Sequence, residues 1–216
     1  MVSCTFVHVR WLRVREGCDE ACVEVVVRTW ESGGLVVYPT DTVYGLGADA
    51  ENESAVLRVY EVKGREGNKP LTIAVSDLNM AERYAILDEV SRSLMRKFLP
   101  GKVTFILPKT DRVLDAVNPR AIGIRIPNLP LTLKLIRAFG RAVTATSANK
   151  SGFPPKRDPR DVVSEIEVDL VLDYGILPPS RPSTVVDLTA GRPVLVREGD
   201  VPFQFILEEF RRIVRS

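Results

Sequence analysis

Segments with the pattern of strands and segments with the pattern of helices follow one another along the whole chain, and this mixture restricts the fold most. Apolar or alternating runs typical of strands occur at residues 5–15, 35–38, 71–75, 103–107, 121–127 and 142–146, and again within 168–175, 183–188 and 193–199. Strands that intermix with helices in this way predict one α/β domain with a twisted, open, mixed sheet flanked by helices.

Capping residues mark where the helices begin and end. Asp19 begins a predicted helix that ends near Ser32, and Pro202 begins an amphipathic helix near the carboxyl end. Further predicted helices start at Asn52 or Ser54, at Asp77, at Pro130 or Leu131, and at Asp158. We expect residues 1–18 to form an N-terminal extension or edge strand, and residues 19–216 to form the main domain.

The composition of the 216 residues is that of a globular protein, with 45% hydrophobic residues and a net charge of +2. Proteins that coat nucleic acid carry a stronger and more clustered positive charge. No apolar run approaches the roughly 20 residues that span a bilayer, and the N-terminus lacks the uninterrupted apolar core of a signal peptide. The predicted location is the cytoplasm, without membrane contact.

Three cysteines and a single histidine limit the chemistry that the chain can support. The odd number argues against a disulfide framework, and we expect Cys18 and Cys22, four residues apart, to remain reduced. With His8 as the only histidine, neither a zinc site nor a Ser/His/Asp triad is predicted. The sequence also contains no P-loop and no GxGxxG dinucleotide-binding motif.

Polar clusters follow several predicted strands, which is where ligands bind in open α/β sheets. Residues 40–47 (TDTVYGLG) offer hydroxyls and glycines to a ligand, although the same composition is typical of a tight structural turn. Lys63, Arg65 and Lys69 suit a polyphosphate, although cations are also favoured at a solvated helix C-terminus.

The remaining clusters add an arginine within an apolar strand and a second polar loop. If the face that carries Arg125 is interior, its guanidinium needs an anion or a carboxylate, whereas on an edge strand it would face solvent. Residues 146–152, which include Ser147 and Asn149, offer hydroxyls, an amide and backbone N–H groups. A site rich in hydroxyls and cations and poor in general acids and bases favours phosphoryl or nucleotidyl transfer.

Seven segments carry a resemblance to a known family: YPTDTVYGLG, KGR followed by KPL, LPGKVTFIL, GIRIP, TSANKSG, PSTVVDL and LVREG. In this order, over about residues 20–200, they resemble the YrdC-like family, in the short form that lacks an extra C-terminal domain. The resemblance implies a large, concave, basic cavity and the activity of a threonylcarbamoyl-AMP synthase. Such enzymes make L-threonylcarbamoyladenylate and diphosphate from L-threonine, bicarbonate or CO2, and ATP, for t6A modification of adenosine-37 in tRNA.

The resemblance also implies roles for single residues. The implied contacts of threonine are Thr42, Arg125, Ser147 and Ser183, with Arg125 on the carboxylate. The implied contacts of ATP are Arg65, Lys69, Ala121, Asn149 and Arg197. The implied catalytic set is Lys63, Arg65, Ser147 and Asn149, in which the two cations address the phosphates.

Cofactor and partners follow from the same resemblance. Mg²⁺ is expected to arrive with ATP rather than on protein ligands, and the expected partners are the downstream t6A transferase machinery and a tRNA or RNA contact. Ala74 stands where some relatives carry a histidine near the threonine. Two alternatives remain open: an RNA-binding YrdC-like module, and a paralogue with a different carbamoyl or acyl acceptor. The charge of +2 and the 7% of aromatic residues weigh against RNA binding.

Overall fold

The computed structural model describes residues 9–67 and 69–215. The strands are β1 (Arg10–Arg13), β2 (Val36–Tyr38), β3 (Gly45–Gly47), β4 (Thr72–Ala74), β5 (Val103–Pro108), β6 (Ala121–Arg125), β7 (Val143–Thr144), β8 (Thr146–Ser147), β9 (Leu170–Asp173), β10 (Thr184–Asp187) and β11 (Val194–Arg197). The helices are α1 (Glu20–Glu31), α2 (Glu53–Lys63), α3 (Leu78–Ala81), α4 (Glu89–Phe98), α5 (Pro130–Phe139), α6 (Pro159–Val163) and α7 (Phe203–Arg215). The predicted single α/β domain with mixed strand directions and flanking helices is confirmed.

The described strands divide between two mixed sheets. A five-stranded sheet has the order β1-β9-β2-β3-β8, and a six-stranded sheet has the order β11-β10-β5-β6-β4-β7. In the second sheet β6 runs parallel to β4 and antiparallel to β5, and β10 runs antiparallel to β11. Carboxyl ends of some strands therefore meet amino ends of others at one edge, and this edge positions the site.

The predicted strand 142–146 is broken in two at Ala145. Its first part, β7, pairs with β4 in the six-stranded sheet, and its second part, β8, pairs with β3 in the five-stranded sheet. The chain therefore passes from one sheet to the other directly before Ser147, which brings both sheets to the same place.

Strand β3 was not predicted, because its two glycines suggested a turn. A Cβ atom at Gly45 or Gly47 would lie 2.8 Å from the ring of Tyr38 on the neighbouring strand. The buried ring of Tyr38 therefore requires glycine at both positions, and its hydroxyl donates to the carbonyl of Thr144 at 3.1 Å. Glycine here marks close packing within a sheet rather than a turn.

Helices cover the sheets with their apolar faces. Helix α1 begins after Asp19, whose carboxylate accepts from the N–H of Cys22, as the capping pattern predicts. Helix α2 is capped by Asn52 and ends at Gly64, which adopts the left-handed conformation. Among the described residues, no helix is both long enough and apolar enough to cross a membrane.

Two expectations at the N-terminus have different outcomes. The expectation of reduced cysteines is wrong, because Cys18 and Cys22 form a disulfide. Cys18 lies two residues before α1 and Cys22 lies in its first turn, with Cα atoms 5.3 Å apart. Strand β1 lies at one edge of its sheet, beside β9. Residues 5–8 of the predicted strand lie outside the described residues, and the division at residue 18 stays a prediction.

Candidate active site

A cavity of about 190 Å³ opens where the edges of the two sheets meet. It is lined by Thr42, Val43, Arg65, Pro70, Leu71, Thr72, Thr104, Arg125, Ala145, Thr146, Ser147, Pro182, Ser183, Val185 and Arg197. Six of the ten residues singled out from the sequence are in this lining: Thr42, Arg65, Arg125, Ser147, Ser183 and Arg197. The topology thus brings together side chains that are as much as 155 positions apart (197 − 42).

The lining comes from strand ends of opposite polarity. Arg125 ends β6 and Arg197 ends β11, whereas Ser183 directly precedes β10 and Thr104 lies near the start of β5. Because these neighbours are antiparallel, both kinds of end meet at one edge. The sequence expectation that ligands lie at carboxyl ends therefore holds for Arg125 and Arg197 but not for Ser183 and Thr104.

Arg125 lies on an interior strand and is buried, which excludes the alternative of an edge arginine in solvent. Its guanidinium donates to Asp41 Oδ1 at 2.6 Å, and the side chains of the pair are 11% and 10% exposed. The carboxylate that the sequence demanded is thus present in the protein itself. Arg125 Nε and Asp41 Oδ2 have no hydrogen-bond partner among residues 9–67 and 69–215, so the pair retains hydrogen-bonding capacity.

Arg197 and the loop before β10 form the second wall. The guanidinium of Arg197 donates to the carbonyl of Ser183 at 2.9 Å, and the hydroxyl of Ser183 lies 2.8 Å from that of Thr104. Burial and the nearby charge of Arg125 lower the pKa of Arg197. The two arginines therefore repel each other across a partly desolvated space, and an anion between them would relieve that repulsion.

Arg65 forms the third cationic wall. Its guanidinium donates to the carbonyls of Lys69 and Pro70, both at 2.9 Å, and this fixes its direction. Burial lowers the pKa of Arg65. Three arginines thus border one small cavity, with Asp41 as their acidic neighbour behind Arg125, and such a site is suited to an anionic ligand.

Lys63 lies next to the cavity but does not line it. Its ammonium donates to the carbonyls of Ser147 and Asn149 at 2.5 and 2.6 Å, and its own carbonyl accepts from the N–H of Ser151 at 2.8 Å. Burial, with the charge of Arg65, lowers the pKa of Lys63 to about 8. The residue therefore fixes the loop that carries Ser147, and direct contact with a phosphate stays a prediction.

Three other residues implied for ATP lie outside the described lining. Asn149 is buried and donates to the carbonyls of Lys150 and Phe153, which shapes the same loop. Lys69 is exposed and pairs with Glu66. Ala121 begins β6, at the end of that strand remote from Arg125. Their contacts with a nucleotide stay predictions.

Sequence reasoning missed Asp41 and Thr104. The signal for Asp41 was available, because a buried arginine needs a carboxylate and the TDT turn supplies one. Thr104 gave no such signal, since a threonine within VTFIL is common in strands. Its side chain lines the cavity because β10 runs parallel to β5 and begins beside it, with Thr184 paired to Val103.

The cavity does not fit a metal held by the protein. Among the described residues no three His, Cys, Asp or Glu side chains gather as a ligand set, and Asp41 is engaged by Arg125.

Comparison with known proteins identifies the family that has this geometry. Residues 28–199 match the Sua5_yciO_yrdC family model, which is described as Telomere recombination. The chain belongs to the Sua5/YciO/YrdC family. The resemblance seen in the seven sequence segments is thereby confirmed.

Relatives within the Sua5/YciO/YrdC family include named enzymes. A threonylcarbamoyl-AMP synthase of Pyrococcus abyssi is 35% identical over 208 residues, which are 94% of this chain and 60% of the relative. One of Bacillus subtilis is 37% identical over 176 residues, which are 77% of this chain and 50% of the relative. This chain therefore spans only about half to three fifths of these two relatives.

Solved structures of the family have the same fold. P. abyssi Sua5 complexed with L-threonine superposes with a TM-score of 0.87 at 34% identity, covering 92% of this chain and 60% of that one. Escherichia coli YciO superposes with a TM-score of 0.84 at 30% identity, covering 91% of this chain and 98% of that one. In length, this chain is therefore similar to YciO.

Proposed function

We propose that this chain is an L-threonylcarbamoyladenylate synthase, which forms threonylcarbamoyl-AMP and diphosphate from L-threonine, bicarbonate or CO2, and ATP. The observation that carries the proposal is the convergence of Arg65, Arg125 and Arg197 on one cavity. Three cations match a substrate pair that brings one carboxylate and a triphosphate. The synthase names of two relatives and the threonine complex of one of them support the same reaction.

The threonine end of the site is assigned to Arg125. A substrate carboxylate would take up the hydrogen-bonding capacity that Asp41 leaves on the guanidinium. Thr42, Ser147 and Ser183 line the same cavity and would offer hydroxyls to the substrate. Because Asp41 already compensates the charge of Arg125, the arginine is oriented before any substrate binds.

The reaction then proceeds in two steps. The neutral amine of threonine attacks the carbon of CO2, and the product loses a proton to become a carbamate. A carbamate oxygen attacks the α-phosphorus of ATP, the bond from that phosphorus to the bridging oxygen breaks, and diphosphate leaves. Arg65 and Arg197 stabilise the negative charge that develops on the phosphoryl oxygens and on the leaving group.

Lys63 and Asn149 act through the loop in this proposal. Lys63 holds the carbonyls on either side of Ala148, so Ser147 faces the cavity at a fixed place. Mg²⁺, carried by ATP, would neutralise phosphate charge. The downstream t6A transferase, an RNA contact and a cytoplasmic location belong to the same proposal.

Omission of single substrates tests the reaction. With ATP, L-threonine and bicarbonate we expect diphosphate release that requires all three, and mass spectrometry should detect threonylcarbamoyl-AMP. Release that depends on another amino acid instead would favour a paralogue with a different carbamoyl or acyl acceptor. No release, together with salt-sensitive RNA binding, would refute the proposal in favour of an RNA-binding module.

Two arginine variants test the assignment of the site. Arg65→Ala should mainly raise the KM for ATP, and Arg125→Ala should mainly raise the KM for threonine. Arg160→Ala is the matched control, because that arginine is 72% exposed and pairs with Asp158 on the surface. If Arg65→Ala and Arg125→Ala showed the same defects toward both substrates, the division of the cavity into two ends would be wrong.

A further inference from the structure

Two hydroxyl groups meet in the wall of the cavity that is formed by β5 and the loop before β10. The hydroxyl oxygens of Thr104 and Ser183 lie 2.8 Å apart, and both residues line the cavity. The two residues are only 3% and 5% exposed. Because they are withdrawn from bulk water, their neighbours decide where each hydroxyl proton points.

The side chain of Thr104 is held in one orientation by the strands on its two sides. Strand β5 lies between β6 and β10 in the six-stranded sheet. On the side of β6 the methyl group of Thr104 lies beside Gly123, since a Cβ atom there would be 3.5 Å from it. On the side of β10 the hydroxyl meets Ser183. A β-branched side chain has few rotamers, so the position of the methyl group also fixes that of the hydroxyl.

The backbone of Ser183 is anchored without any help from the Thr104 hydroxyl. The Ser183 carbonyl accepts from Nε and Nη2 of Arg197 at 3.2 and 2.9 Å. The N–H of Thr184 donates to the carbonyl of Lys102 at 3.0 Å. Loss of the Thr104 hydroxyl would therefore leave this backbone and Arg197 in place, and it would release only the hydroxyl of Ser183.

The surroundings leave the Ser183 proton two directions. Nη2 of Arg197 approaches the Ser183 hydroxyl oxygen at 3.4 Å, so the proton cannot point toward that cation. It can point to Thr104 or into the cavity. Within residues 9–67 and 69–215 the Thr104 hydroxyl has no other hydrogen-bond partner, so one hydroxyl of the pair donates to the other and one proton remains for a ligand.

The charge of Arg197 decides which of the two hydroxyls keeps the free proton when an anion is bound. A cation next to the Ser183 oxygen makes the Ser183 proton the more acidic of the two, and an anion accepts most strongly from the more acidic donor. Thr104 then donates to Ser183, and Ser183 donates to the anion. Hydrogen bonds in such a chain strengthen one another.

We propose that Thr104 is a positioning residue, which directs the hydroxyl proton of Ser183 toward an anionic oxygen of the amino-acid substrate. This inference rests on the proposed function, in which Ser183 is a contact of threonine. No covalent bond changes at Thr104, and it acts through Ser183 alone. Its removal should therefore weaken the binding of threonine and leave that of ATP close to the wild-type value, because Arg197 keeps its bonds to the Ser183 carbonyl.

Calorimetric titration of the full chain with L-threonine tests this role without requiring turnover. In Thr104→Val, which keeps the shape but removes the hydroxyl, the Kd for threonine should rise by about tenfold, the order expected when one hydrogen bond to the substrate is weakened. Thr104→Ser should restore binding close to that of the wild type. If the valine variant does not fold, Thr104→Ala takes its place, since it differs from Thr104→Ser only in the hydroxyl.

A double variant separates positioning from a general structural role. Ser183→Ala should also raise the Kd for threonine, and adding Thr104→Val to it should have no further effect, because Thr104 acts only through the hydroxyl that is already missing. Thr29→Val is the matched control. Thr29 is 5% exposed, and its hydroxyl donates to the carbonyl of Val25 at 2.7 Å within α1, away from the cavity lining. Its Kd should equal that of the wild type.

The outcomes separate this inference from the proposed function. If the wild type binds threonine but releases no diphosphate, the proposed function fails, while the Kd values still decide the role of Thr104. An unchanged Kd in Thr104→Val, no restoration in Thr104→Ser, or independent effects in the double variant would overturn that role. A wild type that binds no threonine would overturn it as well. A raised Kd that Thr104→Ser restores, and that Ser183→Ala makes independent of residue 104, supports it.

Discussion

The ion pair between Arg125 and Asp41 gives a prediction whose size follows from its burial. In Asp41→Ala the guanidinium loses its carboxylate while it is only 11% exposed to solvent. Breaking a buried pair by removing one partner costs about 3–5 kcal/mol, because the remaining charge is left uncompensated. For a domain of this size each kcal/mol corresponds to about 2–4 °C in Tm, so we expect a fall of about 6–20 °C.

The assay is thermal unfolding followed by circular dichroism or calorimetry at one pH, with Asp115→Ala as the matched control. Asp115 pairs with Lys109 at 2.5 Å, close to the 2.6 Å of the buried pair, but its carboxylate is 82% exposed. Surface ion pairs contribute only about 0–1 kcal/mol, so the control should lose about 4 °C at most. An equal fall in Tm for Asp41→Ala and Asp115→Ala would refute the reasoning, because burial of the ion pair would then have no influence on its contribution to stability.

A second variant and a ligand extend the test. Replacing both partners, as in Asp41→Ala with Arg125→Met, should recover part of the lost stability, since no charge remains buried without compensation. In Asp41→Ala alone, L-threonine should raise Tm by more than it does in the wild type, because its carboxylate would replace the missing one. A smaller threonine-dependent rise in the variant would contradict the assignment of Arg125 to the substrate carboxylate.

Two further predictions concern Lys63 and Gly199. The pKa of Lys63 is lowered to about 8 from 10.5, so the unfolded chain binds this proton more tightly than the folded chain. The contribution of Lys63 to the free energy of unfolding should therefore increase as the pH rises from 8 to 10.5. Denaturant titrations of wild type and Lys63→Met at pH 7.5 and 9.5 check this: a wild-type-minus-variant difference that stays constant or shrinks at the higher pH would contradict it. In Gly199→Ala the new Cβ would lie 2.1 Å from the carbonyl oxygen of Pro182, so we expect reduced stability and a raised KM for threonine, measured beside Gly67→Ala, whose Cβ meets no atom within 4 Å. Equal stability and equal KM in these two glycine variants would show that the loop before β10 accommodates the new Cβ atom at residue 199 without loss of stability.

Much of the fold could be predicted from the sequence, because local signals mark where its elements begin and end. Asp19, Asn52 and Asp158 accept hydrogen bonds at the starts of helices, as their positions suggested. The break at Ala145 could not be predicted in this way, since AVTAT reads as one continuous strand. The break depends on which partner each half finds, and β4 and β3 are far away in the sequence.

For the candidate site, too, local sequence patterns predict some features, whereas features that depend on contacts between distant segments could not be predicted. An apolar string around Arg125 shows that a charge lies in an apolar setting, and so predicts a partner for it. Whether that partner is a substrate or Asp41 depends on how the TDT turn approaches β6, which no local pattern encodes. In the same way, the position of a lysine at a helix end suggests a phosphate ligand. Its burial against a loop 84 positions away depends on the folded chain and could not be predicted from the local sequence.

The hydrogen bonds of Lys63 have a consequence for how this chain can change. Its ammonium and its carbonyl hold residues 147–151, and the chain turns at Gly64 to deliver Arg65 to the cavity. The loop 147–151 and the segment from Lys63 to Arg65 therefore form one structural unit, although they are distant in the sequence. An insertion between Lys63 and Arg65 would move the arginine relative to the loop that Lys63 holds, so a transfer of either motif into another protein has to include both with their spacing kept.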